Sequence, residues 1–577
     1  MVKMRMRMRV SQSRGFGLRG GGFRGPRLRL GCEVVASEEP GRRIRRDASV
    51  APPVPSEADV VVIGSGIGGL CCAAVAAKYG FSVAVLESHT IPGGCAHSFK
   101  REGYEFDSGP SFFAGIGAGG KSNNALKQVL DLVGEEVECA EYRGWNAHLP
   151  EGLFACENNE ESYLRELRKY GGDDAVREWK ALSAAMGPLA RSAEALSFAS
   201  LRNDAFAALT VGRSGKAFAK SGILNEGPLD AMNQLNGPFS YLLEKANVRN
   251  EFLRNVIDLE CFVLSGMVAD GTLSPEMAYM YHERHKPDSK LDYPLGGCRA
   301  IIDALIRGIE KLGGTVHCGK HVEQIAFSGG RATGVLLKSG QRVSAKKKVV
   351  SNASVWDTYS KLVPKSELPG EASKLAHSVP KLNSFMHLHL GIDGEGLPDD
   401  LGIHHLVVNS WEGGVDADQN VVNISIPSTL DPSLAPRGKH LVHAYTAANE
   451  PYEVWEGVER GTEEYNAMKE ERSQCVWAAL ERVIPDVRER TELKLVGTPL
   501  THARFVRRQS GSYGPGIAAG KQSWPTANTA IDGLLLCGDS TFPGIGVPAV
   551  AGSGFIAANS IASPFQHLKL LETLDNL

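Results

Sequence analysis

The stretch from Ala58 to Glu87 constrains the fold more than any other part of this sequence. It opens with a β-branched run, Asp59 to Ile63, and closes with a second apolar run, Phe81 to Leu86. Between the runs, three glycines keep the G-x-G-x-x-G spacing of a dinucleotide site, at the point where a strand gives way to a helix. The pattern predicts a strand, a glycine turn, a helix and a second strand, which is the first unit of a Rossmann-like α/β domain.

Each glycine of this turn has its own physical task. Gly64 permits the tight turn, Gly66 lets a pyrophosphate approach the backbone, and Gly69 lets the helix pack close to the strand. The helix, predicted over Gly68 to Tyr79, directs its free N–H groups and its positive end at the two phosphates. The residues predicted to bind the cofactor here are Gly64, Ser65, Gly66, Ile67, Gly68 and Gly69.

Glu87 follows the second strand directly, where a carboxylate accepts hydrogen bonds from ribose hydroxyls. Because an acid at that position favours a free 2′-hydroxyl, NADP fits poorly. The competing interpretation is a buried βαβ unit without a nucleotide. The acid at the strand end favours a nucleotide site and leaves NAD and FAD as the alternatives.

Several motifs spread along the chain carry a family resemblance that covers residues 58 to 562. They are VVIGSGIGGL at 61–70, PGG at 92–94, FDSG at 106–109, DLECF at 258–262, YPLGG at 293–297, SNA at 351–353, VGTP at 496–499 and GDSTFPG at 538–544. With these motifs the chain resembles the plastid carotenoid isomerases of the phytoene desaturase and retinol saturase superfamily of FAD oxidoreductases. The resemblance implies FAD rather than NAD as the cofactor.

The resemblance also assigns FAD contacts to residues beyond the first turn. It places Gly93 and Gly94 at the cofactor, and the backbone of Val322 at the adenine. Near the other end, an apolar strand leads into Gly538 and Asp539, which is expected to lie beside the ribityl chain. A helix that begins near Gly546 and Val547 would direct its positive end at the flavin, where it stabilises negative charge on the reduced ring.

The length of 577 residues, 42% of them hydrophobic, predicts two intimately joined domains. We expect a discontinuous Rossmann-like FAD domain and an α+β substrate domain of mixed sheet and helices. The predicted segments are a transit peptide at 1–50, a linker at 51–57, FAD segments at 58–124, 291–360 and 530–564, a mainly helical substrate region at 125–290, a substrate-domain sheet with helices at 361–529, and a tail at 565–577. Within them we expect a hairpin of the strands 332–337 and 341–344, a further strand at 349–353, and a polar-aromatic loop at 501–515.

The first thirty residues carry eight arginines and no acid until Glu33. This composition, without a continuous apolar core, is typical of an organelle transit peptide, and the family resemblance favours the chloroplast. The alternative is a basic tail that binds an acidic partner.

Eleven cysteines without a C-x-x-C pair fit a reducing compartment. The net charge of −3 argues against nucleic-acid binding.

A lipid-like substrate raises the question of membrane contact. The sequence offers no uninterrupted apolar stretch of the length that a spanning helix needs. Residues 193–219 mix Leu, Phe and Ala with Arg and Lys at helical spacing, as in an interfacial helix. An ordinary amphipathic helix packed on the core is the alternative. Peripheral membrane contact is therefore one expectation for the partners, beside a hydrophobic polyene or prenyl lipid and an unidentified electron donor.

Few side chains suggest chemistry of their own, since the sequence shows no Ser-His-Asp triad, P-loop or metal cluster. A metal site has to be considered at four histidines, His387, His389, His404 and His405. No acid or thiolate lies at a metal-ligand spacing from them, so no metal site is predicted.

Glu260, flanked by apolar residues, is the first catalytic candidate, since burial would raise its pKa and make it a proton donor. A structural carboxylate paired with an arginine is its alternative, and His502 and Arg504 are weaker candidates.

Three classes of function remain open. The first is an FAD-dependent cis-trans isomerase of a carotenoid of the poly-cis-lycopene type, working through reduced flavin. The second is a desaturase or saturase of a carotenoid or another prenyl lipid, which would change the product's mass by two hydrogens. The third is a non-catalytic escort of prenyl lipids, for which a degenerate glycine turn would be expected, whereas the turn here is intact.

Overall fold

The computed structural model describes residues 53–117, 122–286 and 289–577. The predicted transit peptide at 1–50 and the first two linker residues lie outside the described residues. Within the described part, no helix is both long and apolar enough to cross a membrane.

The strands of the described chain are numbered β1 to β18. They are β1 Glu57–Ile63, β2 Val83–Leu86, β3 Ser98–Arg101, β4 Tyr104–Asp107, β5 Cys139–Tyr142, β6 Gly144–Leu149, β7 Gly152–Glu157, β8 Leu291–Pro294, β9 Thr315–His317, β10 Val322–Ser328, β11 Arg331–Leu337, β12 Arg342–Ser351, β13 His387–Asp393, β14 His404–Val408, β15 Val421–Ser425, β16 Lys439–Tyr445, β17 Thr491–Gly497 and β18 Leu534–Leu536.

The helices are numbered in the same way, leaving aside single 3-10 and π turns. They are α1 Ile67–Lys78, α2 Ala125–Val133, α3 Glu160–Ala195, α4 Ala207–Val211, α5 Gly215–Lys220, α6 Pro228–Asn236, α7 Phe239–Lys245, α8 Glu251–Ser265, α9 Ser274–Arg284, α10 Cys298–Lys311, α11 Val355–Asp357, α12 Gly370–Ser378, α13 Glu463–Arg472, α14 Gln474–Val483, α15 Val487–Arg490, α16 Pro499–Val506, α17 Val547–Ile561 and α18 Pro564–Asn576.

The first sheet is the frame of the nucleotide fold. Its order is β10-β11-β12-β1-β2-β9, with β18 paired in parallel to the end of β12. The β1, β2, β9 and β12 strands are parallel neighbours. Both faces are covered, by α1, α2, α10 and α17 on one side and by α11 and neighbouring apolar side chains on the other. Burial on both faces explains why β1 and β2 read as continuous apolar runs.

The strands of this sheet come from three separate stretches of the chain, 57–86, 315–351 and 534–536. The α/β class and the discontinuous Rossmann-like domain are therefore confirmed. The helix begins one residue earlier than predicted, at Ile67. The hairpin and the following strand predicted near 341–353 form one long strand, β12, which curves from β11 to β18.

The second sheet has the order β17-β13-β16-β15-β14-β6-β7 and is antiparallel except where β14 meets β6. Its strands β13 to β17 agree with the predicted substrate-domain sheet. Helices α3 and α6 to α9 form a separate core beside it, with Trp179 and Phe239 fully buried. This helical layer and the sheet are the second, α+β domain.

Three segments differ from the predicted elements. The region 125–290, predicted to be mainly helical, also contains the strands β5, β6 and β7 at 139–157. The predicted helix at 193–219 is broken: α3 ends at Ala195, and the rest forms the short helices α4 and α5. The predicted loop at 501–515 begins with a helix, α16, whose first turn is capped by the Thr498 side chain.

Candidate FAD site

A cavity of about 460 Å³ opens where the ends of the parallel strands meet the second domain. The predicted cofactor residues that line it are Gly64, Gly66, Ile67, Gly68, Glu87, Gly93, Gly94, Val322, Gly538, Asp539, Gly546 and Val547. Ser65 and Gly69, also predicted, lie just behind this lining, where they hold the turn together. The structure therefore brings the segments 64–94 and 538–547, which are far apart in the sequence, to one site.

The two glycine turns touch at their backbones. A β-carbon on Gly68 would lie 3.0 Å from the backbone N and Cα of Gly538. On Gly69 it would lie 2.3 Å from the carbonyl oxygen of Gly64. On Gly554 of α17 it would lie 2.6 Å from the carbonyl oxygen of Gly68. Glycine is required here because any side chain would separate α1 from β1 and from α17.

Asn352, which was not predicted as a site residue, lies between these two turns. A β-carbon on Gly66 would be 2.8 Å from its Nδ2, and one on Gly68 or Gly538 would be 2.8 Å from its Oδ1. Its backbone N–H donates to the carbonyl of Ile63 over 2.9 Å, which fixes it at the end of β12. The SNA motif at 351–353 marked this position in the sequence without indicating its role.

The Glu87 carboxylate is hydrogen-bonded to the first glycine turn. Its Oε2 accepts hydrogen bonds from the backbone N–H and the hydroxyl of Ser65, both at 2.8 Å, and its Oε1 accepts from the N–H of His89 over 2.6 Å. Ser65 in turn accepts from the N–H of Gly93, 3.2 Å from Oγ and 3.1 Å from the carbonyl oxygen. This chain of bonds joins the first turn, the acid and the PGG segment into one rigid unit.

Two helices begin at the cavity wall. The first, α1, starts at Ile67 directly after Gly66, and α17 starts at Val547 after Gly546, whose φ is +103°. Space is open at the Cβ position of Gly546. The first N–H groups of a helix lack partners within the helix and attract anionic groups. The pair of helix ends and the glycine cradle fit the two phosphates and the ring of FAD.

Arg508 is a second cavity residue that no sequence pattern predicted. Its guanidinium forms an ion pair with Asp539 inside the cavity and approaches the Sγ of Cys95 at 3.8 Å. Burial alone would lower the pKa of Arg508, but the adjacent Asp539 carboxylate outweighs it and raises the pKa. Among the described residues, its buried Nε has no hydrogen-bond partner. An unsatisfied donor on a residue that lines the cavity fits an acceptor group of the cofactor.

An aromatic wall faces the glycine turns across the cavity. It consists of Phe385, His387, Tyr445, His502 and Tyr513. The ring of Phe385 lies 4.8 Å from that of His502 and 5.4 Å from that of Tyr513. Burial, followed by the charge of Arg508, lowers the pKa of His502 to about 3, and burial also lowers the pKa of His387. The wall is therefore uncharged near neutral pH.

The three catalytic candidates have different environments. His502 lines the cavity, whereas Arg504 is exposed and rests over the ring of Phe505. Glu260 lies in the helical core, away from the residues that line the cavity. It accepts hydrogen bonds from Arg284 Nη1 over 2.6 Å and from the hydroxyls of Tyr163 and Tyr281. This placement matches the alternative of a structural carboxylate paired with an arginine.

The four histidines considered as metal ligands fall into separate groups. The rings of His387 and His389 stack with His443, and Nδ1 of His387 is 3.0 Å from Nε2 of His443. His404 stacks on Phe112 at 3.9 Å, and His405 contacts His148. Across the described residues, no group of three His, Cys, Asp or Glu side chains is arranged to hold a metal ion.

Comparison with known proteins agrees with this geometry. The family of flavin containing amine oxidoreductases matches residues 67–562, which include the helix that follows the first glycine turn and the whole of the second turn. The chain belongs to this family. Its members bind flavin, which confirms FAD as the cofactor and an oxidoreductase or isomerase as the class of enzyme.

Two relatives place the chain more closely within the family. A chloroplastic prolycopene isomerase from Arabidopsis thaliana is 33% identical over 532 residues, with 90% of this chain and 84% of the relative covered. An all-trans-retinol 13,14-reductase from Danio rerio is 26% identical, with 86% and 84% covered. The resemblance to plastid carotenoid isomerases and the chloroplast location expected from it are thereby confirmed.

The fold has a counterpart among solved structures. Putrescine oxidase bound to putrescine superimposes with a TM-score of 0.55 at 17% identity, with 88% of this chain and 98% of the other covered. At that identity the likeness concerns the fold, and it supports the arrangement of an FAD domain joined to a sheet-containing second domain.

Proposed function

We propose that this chain is an FAD-dependent cis-trans isomerase of a polyene isoprenoid of the poly-cis-lycopene type, working through reduced flavin. The observation that carries the proposal is the 33% identity to a prolycopene isomerase over 90% of the chain. The cavity adds physical support, because its aromatic wall is uncharged and each of two ion pairs among its lining residues, Arg508 with Asp539 and Lys361 with Asp357, is internally neutral.

The chain's own residues bind the cofactor and shape the space beside it. The glycine cradle and the starts of α1 and α17 hold the phosphates and the ring. When bound in its reduced form, the flavin would supply electron density that lowers the bond order of one double bond and would regain it after rotation, with no net redox change. Phe385, Tyr445 and Tyr513 offer flat apolar faces on which a conjugated chain can lie while water is excluded. His387 and His502 are neutral, so they add no charge that a hydrocarbon would have to desolvate.

We also infer peripheral contact with a membrane through the segment 206–232. Its exposed apolar side chains are Phe206, Leu209, Leu224, Leu229 and Met232, of which Leu229 is 70% exposed. Lys216 and Lys220 are exposed in the same segment. Apolar side chains beside cationic ones suit an anionic bilayer surface, where a polyene is dissolved.

A desaturase or saturase is the second candidate, because the same cavity would serve either chemistry and one relative is a retinol reductase.

The product of an isomerase has the mass of its substrate, whereas the product of a desaturase or saturase does not. Protein loaded with FAD, oxidised or reduced with dithionite, is incubated with poly-cis-lycopene under nitrogen, and the extract is analysed by chromatography and mass spectrometry. The proposal expects a product of unchanged mass and shifted absorption from the reduced enzyme. A product that has gained or lost two hydrogens would contradict the isomerase and support the desaturase or saturase.

A further inference from the structure

The side chain of Asn352 is enclosed by the two glycine turns of the cofactor site. A β-carbon placed on any of five glycines would lie 2.8 to 3.7 Å from its nearest atom. These glycines are Gly64, Gly66, Gly68 and Gly69 of the first turn and Gly538 of the second. One side chain therefore touches both turns, and the missing β-carbons leave room for it.

Two hydrogen bonds fix the orientation of this residue. The backbone N–H of Asn352 donates to the carbonyl of Ile63 over 2.9 Å, which places the residue directly after β12. Its Oδ1 accepts from Sγ of Cys537 over 3.6 Å. Its Nδ2 lies beside Gly66, where a β-carbon would be 2.8 Å away. The amide therefore turns its donor group toward Gly66 of the first turn.

The Nδ2 group is a donor that has no acceptor of its own. Asn352 lines the cofactor cavity, and no hydrogen bond among the described residues uses Nδ2. A side-chain amide carries two N–H donors, which need acceptors in a site that a ligand fills. Gly66 is the residue at which a pyrophosphate is predicted to approach the backbone. Phosphate oxygens are therefore the acceptors expected beside Nδ2.

The cationic side chains of the cavity leave this role to a neutral donor. Those that line the described cavity are Lys361, Arg507 and Arg508. Lys361 is paired with Asp357, Arg508 is paired with Asp539, and Arg507 is exposed. Backbone N–H groups at the start of α1 bind phosphates without any cation, and a side-chain amide adds to them at the same place.

We propose that Asn352 binds the pyrophosphate of FAD by donating a hydrogen bond from Nδ2, while the rest of its side chain keeps the two turns apart. The chemical class that this donor recognises is a nucleoside diphosphate, because the contact involves the phosphates and neither ring system of the cofactor. The inference goes beyond the proposed function, since it concerns the cofactor and holds whichever polyene or prenyl lipid reacts.

Two substitutions of similar size separate a donor from a spacer. Asn352→Leu removes the amide, and Asn352→Asp replaces the donor with a negative charge. FAD-loaded protein is diluted, and the fluorescence of the released flavin gives the Kd for FAD. We expect Kd to rise about tenfold in Asn352→Leu, the effect of one lost hydrogen bond to a charged group. In Asn352→Asp, where like charges also repel, we expect a rise of about a hundredfold.

The control is Asn466→Asp, which makes the same change at an exposed position of α13 and should leave Kd unchanged. The phosphorus-31 resonances of bound FAD give a second measurement, and they should be displaced in both Asn352 variants but not in the control. Wild-type affinity in Asn352→Leu, or equal affinities of the two Asn352 variants, would make Asn352 a spacer and overturn the proposal.

A folding defect in Asn352→Leu would not prevent the test. Circular dichroism identifies such a defect, and the phosphorus-31 spectrum of Asn352→Asp, which keeps the shape of the natural side chain, then decides. Resonances identical to those of wild type would overturn the proposal. None of these outcomes bears on the proposed isomerase, which is tested by the mass of the product from the wild-type protein.

Discussion

Gly68 and Gly538 lie back to back, so close that a single methyl group on Gly68 would meet the backbone of Gly538 at 3.0 Å. One residue belongs to the turn after β1 and the other to the turn after β18. Their contact shows that the two turns are halves of one site, with Asn352 filling the space between them. The FAD assignment and the proposed chemistry both depend on this contact.

The ion pair of Arg508 with Asp539 should stabilise both the fold and the bound cofactor. In Arg508→Met, the largely buried Asp539 carboxylate would lose its partner. We expect a loss of about 2 kcal/mol in the free energy of unfolding and weaker retention of FAD. Urea titration and flavin absorbance after gel filtration measure the two effects. Arg504→Met, which changes an exposed arginine nearby, should alter neither, and equal effects of both variants would refute the assignment.

Glu260→Gln separates a catalytic role from a structural one. Arg284, whose side chain is 9% exposed, would lose its charged partner, so we expect the free energy of unfolding to fall by about 3 kcal/mol. FAD content and turnover per folded molecule should stay unchanged. Glu251→Gln, at an exposed position of the same helix, is the control. Slower turnover without loss of stability would instead support the catalytic role predicted from the sequence.

Glu276 should make stability depend on pH. Its pKa rises from the ordinary 4.5 to about 8 on folding, so between these values the folded state holds a proton that the unfolded state has released. Stability therefore falls as pH rises through this window and levels off above pH 8. Glu276→Gln should be more stable than wild type at pH 8.5, by on the order of 2 kcal/mol, and much closer to it at pH 5. A stability difference that stays constant with pH would contradict the assignment.

The exposed segment 206–232 should govern membrane binding. Replacing both Leu229 and Met232 with serine removes two of its exposed apolar side chains. We expect at least a tenfold loss of binding to anionic vesicles in a flotation assay, since each such side chain contributes about 1 to 2 kcal/mol when buried. Val454→Ser, which removes an exposed apolar side chain of the second domain, is the control. Equal flotation of all three proteins would place the contact elsewhere.

The sequence predicted the parts of the site that depend on local pattern. The turn at Gly64 to Gly69, the acid at Glu87 and the helix after Gly546 each sit next to a strand of recognisable composition, and all line or support the cavity. Asn352, Arg508 and the aromatic wall were missed because each reaches the site through contacts between distant elements. No local pattern marks such contacts.

The errors in secondary structure also have local physical causes. The 193–219 segment has helical periodicity, but the Ser197 side chain accepts a hydrogen bond from the N–H of Ala199 and starts a separate 3-10 turn, so α3 ends at Ala195 and helical structure resumes only at Ala207. Conversely, Thr498 followed by Pro499 is a typical helix start, which the interpretation of 501–515 as a loop overlooked. Glu260 was expected to be buried, yet its partner Arg284 belongs to the next helix and could not be identified from the sequence alone.

The FAD content of two alanine variants tests the central claim most directly. Gly68→Ala and Gly538→Ala change residues at opposite ends of the chain, and each added methyl group would fall within 3.0 Å of its neighbours across the site. Gly370→Ala, where the space is open, is the control. We predict one FAD per chain in wild type and the control, and at least a tenfold loss of affinity in both site variants at unchanged secondary structure by circular dichroism. Full FAD content in either site variant would contradict a single site shared by the two turns.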